Sequence, residues 1–303
     1  MSVSGSSKPR TESAVESDNT IAWSALLAEA TERIGAQDAR RIVEEVTGAP
    51  PGGLHSVLDD LATERGVARF DSMVARRAAG EPLQYVLGRW GFRTLDLMVD
   101  HRVLIPRPET ETVAGLAIEH LAERTRTVDR ELLVADLGTG SGAIALSIAV
   151  ECPATRVMAT DASPDALAVA RANLAGIGRA ATRVSLHEGS WFDAVPSAVE
   201  GSLDLIVSNP PYVGDDEDLP AVVHDWEPTT ALRAGADGLA DLRHIIDVAP
   251  GWLTVDGALV LEMAPDQTDI VAGWAADEGL TPTVHRDLAG RPRAVVAHKR
   301  GSH

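Results

Sequence analysis

Residues 132–142 read LLVADLGTGSG, a short apolar run that ends in an aspartate and a glycine-rich loop. An apolar run of this length, followed by a glycine loop and a helical pattern, is typical of a strand–turn–helix unit in a parallel sheet. Glycines let the backbone turn sharply and approach a ligand that a Cβ atom would keep away. The helix that follows directs its positive dipole end at an anionic group of that ligand. The stretch therefore predicts an α/β fold with a ligand site where this strand ends.

Apolar β-prone runs alternate with helical patterns along the rest of the chain after Pro106, as in successive βαβ units. The last two runs flank Gly290 without a helix between them, which predicts an antiparallel hairpin closing a doubly wound parallel sheet. The predicted strands are 132–135, 156–160, 183–187, 203–208, 258–263, 281–287 and 293–299, and the predicted helices are 142–150, 164–174, 239–253 and 267–278.

The chain divides into four parts by composition. Residues 1–20 are polar and predict a disordered tail, since they lack the apolar core of a secretory signal. Residues 21–84 carry apolar side chains at helical spacing and predict a small helical domain. Residues 85–105 contain glycines and short β-prone pieces and predict a hairpin-like connector, which leaves 106–300 as the catalytic domain.

The composition limits the partners of the protein. A formal net charge of −18 disfavours direct nucleic-acid binding, because a phosphate backbone usually meets a basic face. Simple solubility and a basic protein partner both stay open as reasons for the acidity. The single cysteine, Cys152, excludes an internal disulfide, and no Cys/His cluster has zinc-ligand spacing. We expect no metal, no membrane contact, a cytoplasmic location and a monomer.

The glycine loop and an acidic residue on the next strand predict a cofactor site. Asp161 ends that strand, where a carboxylate can hold both hydroxyls of a ribose. With Ala143 the glycines also satisfy a loose G-x-G-x-x-A pattern, so the loop by itself leaves NAD open. The predicted cofactor-binding loop consists of Gly138, Thr139, Gly140, Ser141 and Gly142.

A second motif, Asn209-Pro210-Pro211-Tyr212, follows the buried run 203–208. Strand 203–208 should lie beside the glycine-loop strand, so that its end faces the same crevice. The prolines restrict the backbone and present two acceptors, the Asn209 side-chain oxygen and the Pro210 carbonyl, while Tyr212 offers a flat face. Two fixed acceptors suit the two hydrogens of a planar –NH₂ group and aim its lone pair at an electrophilic methyl. The motif therefore predicts methylation of an amide or aryl amine.

A third motif, IPRPETE at 105–111, joins the connector to the α/β domain. The prolines allow two interpretations, a stiff linker with a helix cap or an edge of the crevice. In the second interpretation Arg107 and Glu109 line the entrance to the pocket.

Together these motifs resemble those of the bacterial HemK/PrmC family of release-factor glutamine methyltransferases. The resemblance runs over residues 21–300 and is strongest after Glu81. It also includes the segments Glu81-Pro-Leu-Gln-Tyr85, Trp226-Glu-Pro228, Asp237-Gly-Leu239 and Arg286-Asp-Leu-Ala-Gly290. Ser190 stands where the family usually has an acidic residue, and Met263-Ala-Pro265 where it commonly continues into a glycine.

The resemblance implies a seven-stranded, class I S-adenosylmethionine-dependent methyltransferase fold with a helical N-terminal domain. It implies methyl transfer to N5 of the glutamine in the Gly-Gly-Gln motif of class 1 peptide chain release factors. In that interpretation residues 138–142 hold the methionine end of S-adenosylmethionine, Asp161 its ribose and Trp191 its adenine. Asn209 also belongs to the cofactor-binding residues. Asn209 to Tyr212 then hold the glutamine amide, and the helical domain helps to bind the release factor.

Three alternatives remain. Asn-Pro-Pro-Tyr is shared with adenine-N6 and guanine-N2 methyltransferases of nucleic acids, although the acidic run Asp215–Asp218 beside the motif would repel phosphates. An NAD-dependent oxidoreductase would explain the glycine loop and leave Asn209–Tyr212 unexplained. A binding module without activity would not need an intact pocket motif.

Overall fold

The computed structural model describes residues 21–301, which form two compact units divided between Ala79 and Gly80. The predicted disordered tail, residues 1–20, lies outside the described residues. The division falls a few residues before the predicted domain boundary after residue 84, and that boundary stays a prediction.

The first unit is helical, as its apolar spacing predicts. In its core the rings of Trp23 and Phe70 meet edge to face with centroids 5.9 Å apart. Gly48 takes a left-handed conformation and ends the second helix, and the Thr63 hydroxyl caps the third by accepting from the Gly66 N–H at 3.1 Å. The helices are α1 (Trp23–Ile34), α2 (Ala36–Thr47) and α3 (Glu64–Ala78).

The second unit begins with a short helix and an antiparallel strand pair, followed by a seven-stranded sheet with its helices. The helices are α4 (Leu83–Leu87), α5 (Pro108–Thr125), α6 (Ala143–Glu151), α7 (Pro164–Gly176), α8 (Ala221–His224), α9 (Ala240–Trp252) and α10 (Thr268–Asp277). The strands are β1 (Arg89–Phe92), β2 (Leu95–Met98), β3 (Leu132–Leu137), β4 (Thr155–Asp161), β5 (Val184–Glu188), β6 (Leu203–Ser208), β7 (Leu253–Glu262), β8 (Leu280–Arg286) and β9 (Pro292–Lys299).

The large sheet has the order β5-β4-β3-β6-β7-β9-β8, in which β9 runs antiparallel to both neighbours. The sequence prediction of a parallel sheet finished by an antiparallel hairpin is confirmed. The order reverses between β3 and β6, and at the ends of these strands Leu137 pairs with Ser208. The glycine loop and the Asn209 motif therefore leave the sheet side by side at the switch point, where α/β folds bind their ligands.

Helices cover both faces of the sheet and bury its central strands. Leu205 and Val207 of β6 pack in one core with residues of α5 and α6, while Ile206 packs in the other with residues of α9 and α10. Such alternation explains why the run reads as continuously apolar, because a strand covered on both faces has no solvent side. Among residues 21–301 we find no helix with the length and apolar character that a bilayer crossing requires.

One carboxylate is fully buried at the start of β6. Asp204 accepts from Arg130 Nη1 at 2.7 Å, from Arg124 Nη2 at 3.2 Å and from the Leu133 N–H at 2.9 Å. Two guanidinium groups and a backbone donor thereby compensate the desolvation of this charge. The cluster fixes β6 to β3 and to the end of α5.

Candidate active site

A cavity of about 470 Å³ opens where β3, β4 and β6 end. Its lining combines the glycine loop, the Asn209 motif and the IPRPETE segment, which sequence reasoning treated as three separate signals. The lining includes Thr110, Gly138, Thr139, Gly140, Ser141, Asp161, Trp191, Asn209, Pro211 and Asp241.

The glycine loop takes a conformation that favours glycine. Gly138, Gly140 and Gly142 have φ angles of 71°, 56° and 86°. A Cβ atom on Gly142 would lie 3.0 Å from Leu146 Cδ1, so a larger residue would also press on this side chain. The loop forms a cradle of backbone at the start of α6, open to the cavity, and such a cradle fits the charged end of a cofactor.

Asp136, the aspartate in the quoted stretch, holds this loop from beneath. Its Oδ2 accepts from the Thr139 hydroxyl at 2.6 Å and from the Ala145 N–H at 3.1 Å. Burial raises the pKa of Asp136 to about 7 against these hydrogen bonds. Its Oδ1 has no hydrogen-bond partner among residues 21–301. The sequence reasoning did not assign a role to Asp136, although an acidic residue ending an apolar run was the available signal.

Asp161 lies opposite the glycine loop at the end of β4. Its Oδ2 accepts from the Gly140 N–H at 2.8 Å and its Oδ1 from the Ser163 N–H at 2.9 Å. Burial raises the pKa of this carboxyl, and the two backbone donors oppose that effect. A carboxylate accepts more than one hydrogen bond per oxygen, so Asp161 keeps lone pairs for a ligand in the cavity.

Trp191 closes the cavity on the side of the glycine loop. It has a φ angle of 44°, a conformation that costs a residue other than glycine about 1–3 kcal/mol. A Cβ atom on Gly138 would lie 3.3 Å from Trp191 Cζ3, so ring and loop are close neighbours. Burial raises the pKa of Asp241, and a hydrogen bond with the Trp191 side chain opposes this. The strained backbone and the bond to Asp241 fix the indole at the cavity wall.

The Asn209 motif begins where Ser208 anchors β6 to β3. The Ser208 hydroxyl donates to the Leu137 carbonyl at 2.6 Å. Asn209 Nδ2 donates to Thr110 Oγ1 at 3.2 Å, which turns Oδ1 the other way. Among residues 21–301, no group donates to Asn209 Oδ1 or to the Pro210 carbonyl oxygen. Asn209 lines the cavity, so its side-chain oxygen is available there, whereas Pro210 is buried outside the lining and the role of its carbonyl stays a prediction.

The backbone beyond Asn209 is supported from below. Gln267 Nε2 donates to the Tyr212 carbonyl at 2.9 Å, and Gln267 Oε1 accepts from the Ala264 N–H at 3.1 Å. A Cβ atom on Gly238 would overlap the Tyr212 carbonyl oxygen, so only glycine leaves room for this loop. The Tyr212 hydroxyl donates to Glu262 Oε1 at 3.4 Å, at the end of β7.

Arg107 and Glu109 are not among the residues that line the cavity. Arg107 Nη2 lies 2.5 Å from Oε1 of the buried Glu227, and Glu109 Oε1 lies 3.3 Å from Arg291 Nη2. Both side chains are thus engaged in ion pairs, and their place at the pocket entrance stays a prediction. Pro210, Tyr212 and Gly142 belong to the same loops but are likewise outside the set of lining residues.

Thr110 and Glu262 were missed by the sequence reasoning. Thr110 is the third residue of α5, directly after Glu109 in the IPRPETE motif, and it lines the cavity beside Asn209. Glu262 is fully buried, and this burial raises its pKa to about 7. A lone carboxylate at the end of the apolar run of β7 was the same type of signal as Asn209 at the end of β6.

Taken together, the site suits a cofactor with a charged end and a ribose. One continuous cavity is lined by the glycine loop, the Asp161 carboxylate, the Trp191 indole and the Asn209 side chain. Within the described part of the chain, no group of three His, Cys, Asp or Glu side chains is placed to hold a metal ion.

Two family models match the chain. The methyltransferase small domain matches residues 111–228, and the PrmC N-terminal domain matches residues 21–88. A release factor glutamine methyltransferase of Cereibacter sphaeroides is 42% identical over 268 residues, which cover 86% of this chain and 90% of that protein. One of Streptomyces coelicolor is 39% identical over 291 residues, covering 90% of this chain and 96% of that protein.

Among solved structures, the hMettl16 catalytic domain in complex with MAT2A 3′UTR hairpin 6 has a TM-score of 0.52 at 14% identity. The likeness covers 79% of this chain and 83% of that chain, and it concerns the fold alone. The sheet order and the site at its switch point define an α/β methyltransferase of class I. The chain belongs to the release factor glutamine methyltransferase family, as the resemblance of its motifs predicted.

Proposed function

We propose that this protein transfers a methyl group from S-adenosylmethionine to N5 of the glutamine in the Gly-Gly-Gln motif of class 1 peptide chain release factors. The observation that carries the proposal is the position of Asn209 at the switch point. Its side-chain oxygen has no donor within residues 21–301, and it stands next to the glycine loop, since Ser208 and Leu137 pair in adjacent strands. The family membership supplies the substrate class.

When bound, S-adenosylmethionine supplies a methyl group made electrophilic by its sulfonium. Residues 138–142 would hold its methionine end, because this loop leads into the start of α6, where the helix dipole favours an anionic group such as a carboxylate. Asp161 would accept from the ribose hydroxyls, and Trp191 would pack against the adenine. The strain at Trp191 supports this role, because unfavourable backbone conformations persist where the surrounding structure holds them for function.

The glutamine amide is held by acceptors alone. Asn209 Oδ1 and the Pro210 carbonyl would each accept one of its two hydrogens, which selects –NH₂ over a carboxylate. The amide nitrogen lone pair is delocalised in the ground state, so fixing both hydrogens favours the pyramidal geometry of the transition state. Tyr212 would contact the planar amide with its ring.

Orientation carries most of the rate in this proposal. Positioning the nucleophile and the electrophile can lower the activation free energy by roughly 7–11 kcal/mol relative to a reaction between free molecules. The nitrogen becomes acidic as the new N–C bond forms, and one of its hydrogens then leaves for water. Neither a metal nor a strong base is needed for this displacement.

The helical domain, proposed as residues 21–84 with a connector at 85–105, would bind the body of the release factor. We propose a cytoplasmic location because release factors act there. We propose a monomer because all the residues that line the cavity come from one chain.

A nucleic-acid substrate is less compatible with the surface next to the motif. Asp215, Asp216, Glu217 and Asp218 follow Tyr212 within six residues and are exposed. Arg233 donates to the carbonyls of this loop, at 2.6 Å for Asp215 and 3.2 Å for Glu217. Its guanidinium therefore binds the backbone of the loop. Four carboxylates beside the single positive charge of Arg233 leave this surface negative, so it would repel phosphates.

Mass spectrometry tests the proposal. Purified class 1 release factor is incubated with this protein and S-adenosylmethionine, and the Gly-Gly-Gln peptide is analysed after proteolysis. We expect a gain of one methyl group on the glutamine side chain, and none with a release factor whose glutamine is replaced by alanine. Methylation of RNA or DNA with an unchanged release factor would overturn the proposal.

Asn209→Ala provides the matched enzyme variant. We expect turnover to fall about 10²–10³-fold, the range for losing one positioned hydrogen-bonding group, while cofactor affinity changes little. Turnover equal to that of the wild type would remove Asn209 from the mechanism.

A further inference from the structure

We propose that Thr110 and Glu262 are positioning residues that hold the Asn209 amide with its oxygen towards the substrate. The inference rests on the proposed function, because the direction of this amide matters only for a substrate –NH₂ group. It concerns three residues from separate segments: Thr110 in the first turn of α5 and Asn209 after β6, which line the cavity, and the buried Glu262 at the end of β7.

An asparagine presents opposite chemistry from its two ends. With Oδ1 towards the cavity it accepts from a substrate amide, and with Nδ2 towards the cavity it would donate to a carboxylate or carbonyl. The two orientations have the same shape, so packing does not choose between them. The choice depends on the hydrogen bond made at the other end.

That other end meets Thr110. Asn209 Nδ2 lies 3.2 Å from Thr110 Oγ1, and Thr110 is only 4% exposed. A hydroxyl can donate or accept, so Thr110 would tolerate either end of the amide by itself. The orientation is decided by where the Thr110 hydrogen goes.

Glu262 provides the acceptor for that hydrogen. The carboxylate is fully buried and poor in donors, since its Oε2 has no partner that meets hydrogen-bond geometry within residues 21–301. The Thr110 hydroxyl lies near enough to this carboxyl to lower its pKa, against the larger effect of burial. An ionised carboxylate only accepts, and its hydrogen bonds are about twice as strong as neutral ones. The Thr110 hydrogen therefore points at Glu262, and Thr110 Oγ1 is left to accept from Asn209.

The groups around Glu262 favour this arrangement in its ionised form. Tyr212 donates its hydroxyl to Oε1 at 3.4 Å, and the guanidinium of Arg293 on β9 also lowers the pKa of Glu262. Glu109 on α5 acts in the opposite direction. Because the pKa of Glu262 is about 7, the carboxylate is mostly ionised at pH 8.

The IPRPETE motif then has a structural purpose. Arg107 is the N-cap of α5 and Pro108 its first residue, and the Arg107 carbonyl accepts from the Thr110 N–H at 3.1 Å. A helix start fixed in this way places the Thr110 hydroxyl beside the Asn209 amide.

The test compares two ligands that differ in one end group. Calorimetry at pH 8, with S-adenosylhomocysteine present, measures the dissociation constants of a release factor carrying Gly-Gly-Gln and of its Gly-Gly-Glu variant. Wild-type protein should prefer glutamine. In Thr110→Val the amide can turn its Nδ2 to the cavity, so this preference should narrow by about tenfold, the value of one hydrogen bond. Thr110→Ser keeps the hydroxyl and should keep the preference.

A loss of packing alone would weaken both ligands in parallel and leave their ratio unchanged. An unchanged ratio in Thr110→Val, with thermal unfolding like that of the wild type, would therefore overturn the inference. Glu262→Gln tests the same series of hydrogen bonds at the Glu262 end. Because a carboxamide can donate to Thr110, this substitution should also narrow the preference for glutamine over glutamate. One outcome refutes the positioning role and leaves the proposed function intact. In it the wild-type protein methylates the release factor, and Thr110→Val and Glu262→Gln have the same ratio of the two dissociation constants as the wild type. A wild-type protein that neither methylates nor prefers glutamine would instead refute the function.

Discussion

Glu262→Gln should change how the stability of the protein depends on pH. The carboxyl is fully buried, which raises its pKa from 4.5 to about 7 in the folded state. Between these values the folded protein holds a proton that the unfolded chain has released. The free energy of unfolding therefore falls as the pH rises through this window, and becomes level above it.

The size of the effect follows from the two pKa values of Glu262. One pKa unit is equivalent to about 1.4 kcal/mol, so ionising Glu262 in the folded protein costs roughly 3 kcal/mol when complete, of which roughly 2–3 kcal/mol falls between pH 5 and pH 8. Urea unfolding followed by circular dichroism at several pH values measures this for both proteins. Glu262→Gln should gain stability relative to the wild type by that amount as the pH rises from 5 to 8.

Two controls isolate the carboxyl. Asp136 also has a pKa of about 7, but it is present in both proteins and cancels in their difference. Glu119→Gln removes one negative charge from an exposed position of α5 and controls for net charge. The free energy of unfolding of the wild type and of Glu262→Gln could instead change in parallel from pH 5 to 8. In that case Glu262 does not have a raised pKa in the folded protein, and the prediction is wrong.

Three further substitutions probe other parts of the structure. Asp161→Ala should weaken S-adenosylmethionine binding about 10–100-fold in calorimetry, because a charge-assisted hydrogen bond is lost, and unchanged affinity would remove Asp161 from the cofactor site. Gly238→Ala should abolish most turnover by displacing the Tyr212 carbonyl, while full activity in a methyl-transfer assay would show that the loop has room for a Cβ atom. Asp204→Ala should lower the free energy of unfolding by about 3–5 kcal/mol, since it leaves two guanidinium groups without their buried partner, and a loss below about 1 kcal/mol in urea unfolding would contradict this.

Much of the fold could be predicted because its signals are local. The run 203–208 coincides with β6, and Ser163 caps α7 as its hydroxyl and the following proline indicated, accepting from the Ala166 N–H at 3.2 Å. Strand β7 begins at Leu253 rather than 258, because a register shift near its start breaks the apolar pattern. Helix α5 was missing from the predicted helices, although one interpretation of the prolines before it included a helix cap.

The supporting part of the site could not be predicted, because its contacts join distant segments. Asn209 and Thr110 are 99 residues apart, and Tyr212 and Glu262 are 50 apart. Thr110 and Glu262 have ordinary local contexts, and only the strand order brings them to Asn209 and Tyr212. The motif residues themselves were found because glycines and prolines constrain the backbone at their own positions.

A crystal structure of this protein with S-adenosylhomocysteine and a class 1 release factor would measure the proposed amide contact directly. We expect the glutamine side-chain nitrogen to lie within about 3.2 Å of both Asn209 Oδ1 and the Pro210 carbonyl oxygen. A glutamine whose nitrogen points away from both oxygens, or another substrate group seated between Asn209 and Tyr212, would contradict the proposal.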